Sequence, residues 1–309
     1  MNKIEVSVII PTFNKSSRLI LMLKSIENLK AIDLCEFIFI NDGSDDQTKD
    51  LLEEFKERNK KKISTTIINN HSNLGRSVTR NKGLSVAKGS LIIFTDDDVI
   101  LHPEFIYYHQ LAHQGHENLV VHGRIYSLPY LKFFKNPITG QLYSGEFPKG
   151  MLQSKIITLK MFDDQTIEKY LKENAKISKF ESDIHELFSA TTLEASHVRW
   201  IGFTGGNVSV LRTNLLKING FDDSMGKVWG SEDIETGYRL YLSGMKFKYE
   251  ENAKNFHMDH FRENRSAIHN ISMRYFIDKH QDEKIEKLLQ YFNHELGSLI
   301  EWKHSFESC

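Results

Sequence analysis

The chain has 309 residues, with 40 basic against 41 acidic side chains and a formal net charge of -1 at pH 7. That balance offers no electrostatic case for nucleic acid as the main partner, and 40% hydrophobic with 26% charged content is that of a globular protein able to bury a substantial core. Two cysteines, Cys35 and Cys309, speak against a disulfide scaffold and favour a reducing cytoplasm.

The opening MNKIEVSVIIPTFN lacks the apolar length and cleavage site of a signal peptide, and no stretch reaches the roughly 20 apolar residues that span a bilayer. A soluble, cytoplasmic chain without a transmembrane segment is expected; peripheral membrane contact and oligomeric state are left open. Residues 6–10 form a β-branched run that stops at Pro11. Residues 16–29 place Leu19, Leu23 and Ile26 at helical spacing. Residues 36–40 read as a second strand ending in Asn41-Asp42-Gly43-Ser44, and residues 46–59 as a helix with an acidic start. A third strand at 65–68, a helix at 73–87 and a fourth strand at 91–94 follow. This βαβαβαβ order predicts an α/β fold, a mostly parallel sheet with helices on both faces.

Residues 127–199 differ: they are rich in Lys, Glu, Phe and Tyr, and mostly helical in period, as at 166–188. They read as an insertion over the sheet edge. Regular signals return at 202–211, 230–243 and 247–249. At 283–302, Ile285, Leu288, Leu289, Phe292, Leu296 and Leu299 share one helical face, which is expected to dock on the domain.

Ligands of parallel sheets bind beyond the carboxyl ends of the strands. Here those ends carry Pro11-Thr12, Asp42-Gly43-Ser44, Asn69-Asn70 and Asp96-Asp97-Asp98. The aspartates close the run IIFTDDDVIL. Adjacent carboxylates at a strand end repel unless a cation compensates them, and oxygen donors suit Mg²⁺ or Mn²⁺ beside a nucleoside diphosphate. The rival reading is a solvated turn with a helix cap. Neither a GxxxxGK[ST] loop nor a GxGxxG after the first strand is present, so the common ATPase and dinucleotide readings lose their support.

The stretches VSVIIPTFN, FIFINDGSDDQT, NLGRSVTRNKGLSVAKG and LIIFTDDDV, in this order, resemble the motifs of family 2 glycosyltransferases. GFTGGNVSVLRTNLLKINGFDDSM and WGSEDIETGYRL resemble N-acetylgalactosaminyl and galactosyl transferases of the same fold. The resemblance covers residues 5–125 and 200–260. It implies a GT-A fold and transfer of a sugar, with inversion, from a UDP-sugar to a saccharide, lipid-linked or peptide acceptor.

It implies site roles as well. Pro11, Thr12 and Asp42 would meet the base, with Asp42 accepting the uracil N–H. Asn73, Gly75 and Arg80 would lie beside the nucleotide. Asp98 would be the principal ligand of Mn²⁺ or Mg²⁺, with Asp96 nearer the ribose and metal, and Asp97 in the variable middle position. His257 in NFHMDHFRENR matches a metal-ligating histidine; His260 is the weaker candidate, and a surface or core histidine is the rival reading. Asp233, beside Glu232, would be the base. Trp229-Gly230 would wall the acceptor, with core packing the rival for Trp229.

The organisation expected is a nucleotide-sugar-binding half at 1–126, a helical acceptor region at 127–199, an acceptor-binding and catalytic half at 200–260, and a helical extension at 261–309. A sugar-nucleotide pyrophosphorylase and a catalytically inactive nucleotide- or carbohydrate-binding module are the rival functions. The first lacks its Gly-rich opening here, and the second has no need of Asp233.

Overall fold

The computed structural model describes residues 3–143, 152–228, 230–261 and 265–305. An eight-stranded sheet organises it, in the order β3-β2-β1-β4-β9-β6-β10-β5. The strands are β1 (Val6–Thr12), β2 (Cys35–Asn41), β3 (Ser64–Asn69), β4 (Leu91–Thr95), β5 (Val99–Leu101), β6 (Leu119–Ser127), β9 (Asn207–Leu211) and β10 (Lys246–His257). The remaining two, β7 (Phe134–Asn136) and β8 (Gln141–Leu142), form a separate small hairpin.

β1 to β4 are mutually parallel where they pair, and β9 runs antiparallel between β4 and β6. Every residue of β1, β2 and β4 is buried. Parallel strands covered on both faces require such unbroken apolar runs, which is why these strands are readable from sequence. The covering helices in this half are α1 (Ser16–Ile26), α2 (Thr48–Asn59), α3 (Arg76–Val86) and α4 (Phe105–His113).

The β1–β4 ladder stops at Ile9 opposite Phe94, while β1 stays paired with β2 through Thr12 opposite Asn41. The strands part beside Pro11, whose missing N–H could not have extended the ladder. A crevice opens there, where the strand order reverses, as expected of an open α/β sheet.

Residues 127–199 hold short 3₁₀ turns, the β7–β8 hairpin, and α5 (Ile167–Asn174) and α6 (Lys179–Ser189). The single helical period expected over 166–188 is therefore broken. Ala175 is extended, and the Ser178 side chain caps α6 by accepting from the Glu181 N–H. After β9 come α7 (Arg212–Lys217) and α8 (Glu232–Leu242).

The C-terminal stripe is likewise two helices and not one. Beyond α9 (Arg265–His280) lie α10 (Glu283–Phe292) and α11 (Leu299–His304), separated by a turn in which His294 has φ 64°. Both pack inward as expected. Ile285, Leu288, Leu299 and Trp302 are fully buried in one cluster with Trp200, Phe203 and Phe276. Trp302 meets Trp200 edge-on at 5.8 Å, and its indole N–H donates to the Lys284 carbonyl at 2.9 Å.

Candidate active site

At the carboxyl ends of β1 and β4, a cleft of about 200 Å³ is lined by Pro11, Thr12, Phe13, Lys15, Asp42, Asn73, Gly75, Arg76, Asp96 and Asp97, and by the turn at Gly226–Val228. Segments distant in sequence thus meet as the strand ends suggested. Asp42 is 4% exposed. Its carboxylate accepts from the Asn70 amide at 2.7 Å and from the backbone N–H groups of Leu74 and Gly75 at 2.9 and 3.0 Å. It therefore fixes the loop that opens α3. Gly75 is required there: its φ is 93°, and an added Cβ would lie 2.1 Å from the Gly226 carbonyl oxygen.

The three aspartates occupy three different environments. Asp96 accepts from Arg80 Nη2 at 3.4 Å. Asp97 turns toward the Phe13 N–H at 3.4 Å, and burial, with Asp98 beside it, pushes its carboxyl up to about 7. Asp98 is 2% exposed and surrounded by cations and imidazoles. Lys15 Nζ lies 3.3 Å from its Oδ2, His260 Nε2 3.1 Å from the same oxygen, and His257 Nε2 3.4 Å from Oδ1. Burial alone would raise this carboxyl; the facing charges of His257, Lys15 and His260 outweigh it and hold the group well below the usual carboxylate range.

Asp98, His257 and His260 bring one ligand atom each within 4.8 Å of one another. The two imidazoles are oriented from behind. His257 Nδ1 pairs with Asp259 Oδ1 at 2.8 Å, and that carboxylate also accepts from the Ser127 hydroxyl at 2.7 Å. His260 Nδ1 lies 3.1 Å from the Phe261 carbonyl oxygen. With a cation between the three groups, an Nδ1–H held by an acceptor would leave Nε2 as the lone-pair nitrogen, the arrangement by which proteins aim histidine ligands at a metal. Asp98 Oδ1 is buried with no hydrogen-bond partner among the described residues. One carboxylate and two imidazoles fit a divalent cation, and they suit Mn²⁺ better than the harder Mg²⁺, which prefers oxygen alone.

The third component is the start of α8. Arg80, fully buried, donates to Glu232 Oε1 at 3.3 Å as well as to Asp96, and its guanidinium lies 5.2 Å over the Phe221 ring. Arg76 lies 3.8 Å from the same Glu232 oxygen, and the Gly230 N–H donates to Oε2 at 2.9 Å. Burial would raise Glu232, but Arg76 and Arg80 hold it lowered and ionised. Asp233 is driven the other way, well above the ordinary value, by burial and by the neighbouring Glu232 carboxylate. Gly205, at φ +68°, fits between Arg80 and Asp233: a Cβ there would lie 2.7 Å from Arg80 Nη2 and 2.9 Å from Asp233 Oδ2.

The structure thus joins Pro11, Thr12, Asp42, Asn73, Gly75, Asp96 and Asp97 in one cleft, and Asp98 with His257 in one cluster. Arg80, Glu232 and Asp233 lie side by side. Asp96 pairs with Arg80 and stands outside the Asp98–His257–His260 group. Trp229 lies outside the described residues; Gly230 borders a second cavity together with Asp233. His260 is drawn in more closely than its sequence position suggested, and Lys15, Arg76 and Asp259 were not singled out from sequence. The HMDH spacing was the one available signal for Asp259. Among the described residues no helix is long and apolar enough to cross a membrane.

Residues 7–170 match the family model described as Glycosyl transferase family 2, and residues 185–262 match the one described as N-terminal domain of galactosyltransferase. The uncharacterized glycosyltransferase YfnE of Bacillus subtilis (strain 168) is 29% identical over 284 residues, covering 89% of this chain and 70% of its own. Among solved structures, the mannosyltransferase PcManGT from Pyrobaculum calidifontis, in complex with GDP-Man and Mn²⁺, superposes with a TM-score of 0.58 at 14% identity, over 94% of this chain and 68% of that one. GalNAc-T7 with UDP, GalNAc and Mn²⁺ gives 0.59 at 16% identity, over 94% of this chain and half (50%) of that one. These likenesses carry the GT-A fold, and the family match displaces the pyrophosphorylase and inactive-module readings.

Proposed function

Because the chain belongs to glycosyl transferase family 2 and is a glycosyltransferase enzyme, we propose that it is a metal-dependent, inverting one that takes its sugar from a UDP-sugar. The observation that carries this reading is the pair of histidines whose Nε2 atoms converge on the buried Asp98, at 3.4 and 3.1 Å. Asp42 keeps acceptor capacity for a base N–H beyond its three protein donors.

The chain's own residues divide the reaction between them. Lys15, Arg76 and Lys227 line the cleft and face the diphosphate, whose charge grows as its bond to the anomeric carbon breaks. A cation held by Asp98, His257 and His260 would add Lewis-acid neutralisation of that leaving group. Asp233 accepts the proton of the acceptor hydroxyl as its oxygen bonds to the anomeric carbon from the opposite face. Its raised pKa makes it a stronger base than an ordinary carboxylate, while Glu232 stays ionised between the arginines and holds them in place. Calorimetric titration with UDP and Mn²⁺ tests the reading. Binding that requires Mn²⁺ is expected; binding equally tight in EDTA would refute the metal assignment.

A further inference from the structure

A second cavity, of about 530 Å³, is lined in part by Asp233, Gly230 and Thr204, the residue before Gly205. α9 and α10 contribute to its lining, as do Lys179 and Phe180 of α6. The region 127–199 thus contributes two residues to this cavity, and the C-terminal helices with the turn after α10 supply most of the rest.

We propose that this cavity is the acceptor subsite and that its occupant is a pyranoside, whose hydroxyl is presented to Asp233. The proposal rests on the transferase reading and names the substrate class for it. The lining combines a cluster of aromatic rings with polar groups. Phe180 and Phe292 stand 5.8 Å apart at 50°, and His269 meets Phe292 edge-on at 4.5 Å. The lining also presents Asn270, Ser266, His294 and Thr204, the last with a buried hydroxyl that finds no hydrogen-bond partner among the described residues. A sugar ring offers that same combination, an apolar C–H face for aromatic rings and an equatorial belt of hydroxyls for amides and imidazoles.

The other two acceptor classes fit less well. An isoprenoid or acyl chain calls for a continuous apolar lining, and this one is interrupted by at least four polar side chains. A peptide held by strand addition needs an open sheet edge. The edges here are β3 and β5, and neither contributes a residue to the cavity.

Saturation-transfer NMR on the full chain decides the matter, with methyl β-D-glucopyranoside as probe and farnesyl phosphate and a blocked serine tripeptide as comparators. It is run with and without UDP and Mn²⁺, so that it decides the cavity even if the donor titration fails. The glycoside ring protons are expected to be saturated in the wild type. The effect should fall about two- to tenfold in Phe292→Ala and in Asn270→Ala, as loss of one stacking or hydrogen-bonding contact predicts. UDP affinity should stay at the wild-type value in both. Asn270 is polar and half-buried, so its replacement spares the core if Phe292→Ala does not fold. No saturation of the glycoside in the wild type, saturation undiminished in the folded variants, or saturation of farnesyl phosphate or the tripeptide alone overturns the proposal.

Discussion

Glu232 and Asp233 are neighbours in the chain and opposites in ionisation: the first is clamped by Arg76 and Arg80 and lowered, the second is raised by burial and by the first. One helix start thereby holds a lowered carboxylate beside a raised one, the second being the proposed base. Asp233→Asn is therefore expected to leave UDP–Mn²⁺ affinity unchanged and to reduce turnover by about 10²–10⁴-fold, the usual worth of a general base. Near-normal turnover would remove Asp233 from that role.

The same inequality has a pH signature. Turnover needs the ionised Asp233, so the acid limb of the rate profile should lie above the ordinary carboxylate range, and Asp233→Asn should lack it. The stability effect has the opposite direction. A carboxyl whose pKa is raised on folding favours the folded state at low pH and loses that contribution as pH rises through the folded value. At neutral pH the raised value is a penalty on the folded state, so Asp233→Asn is expected to melt above the wild type. A lower melting temperature at pH 7 would contradict the environment inferred for this group.

Metal affinity should follow the orientation of His257. Asp259→Ala removes the carboxylate that holds Nδ1 and leaves all three candidate ligands in place. Outer partners of this kind are typically worth about 10–100-fold in affinity. Mn²⁺ titration should show a loss of that size for Asp259→Ala and no measurable Mn²⁺-dependent UDP binding for Asp98→Asn. Asp97→Asn should have a smaller effect. Equal affinities across the three variants would dissolve the proposed centre.

Gly205→Ala combines a positive φ with a clash against Arg80 and Asp233. Strain of this type costs about 1–3 kcal/mol. Because the atoms displaced are those of the reacting edge, activity is expected to fall much further than the denaturation midpoint moves. A fully active Gly205→Ala would show that Arg80 and Asp233 tolerate displacement.

The last prediction concerns the C-terminal helices. Trp302 is fully buried against Trp200, so Trp302→Ala should cost about 3–5 kcal/mol in urea unfolding, as large-to-small core changes do. A change below about 1 kcal/mol would make α11 a loosely held appendage.

Much of this architecture was legible because parallel strands buried on both faces write themselves as apolar runs, and the polar residues that end them mark the crevice. Helix continuity was not. Leu296 and Leu299 keep the apolar period of α10 across a turn, because periodicity reports which side chains face the core and not whether the backbone between them is helical. The break before α6 was marked by Ser178 and Glu181, an S-x-x-E cap signal inside an otherwise helical period. Lys15 and Arg76 became visible only when the folded chain set them beside Asp98 and Glu232. Charge pairing across such separations leaves no local pattern.

The grouping of Asp98 with His257 and His260 has a consequence for how the enzyme is partitioned. Asp98 belongs to the stretch that matches one family model and both histidines to the stretch that matches the other, so neither stretch holds a complete centre. The link is direct, since Val99 and His257 are paired residues of adjoining strands. A fragment ending near residue 170 would carry one side of the cleft, without the turn at Gly226–Val228, and an Asp98 with neither imidazole, and one beginning near residue 185 would carry imidazoles with no Asp98 to face. On the proposed centre the two matched stretches would be halves of one catalytic unit, and co-expressed pieces are expected to regain Mn²⁺-dependent donor binding only by reassembling that strand pair.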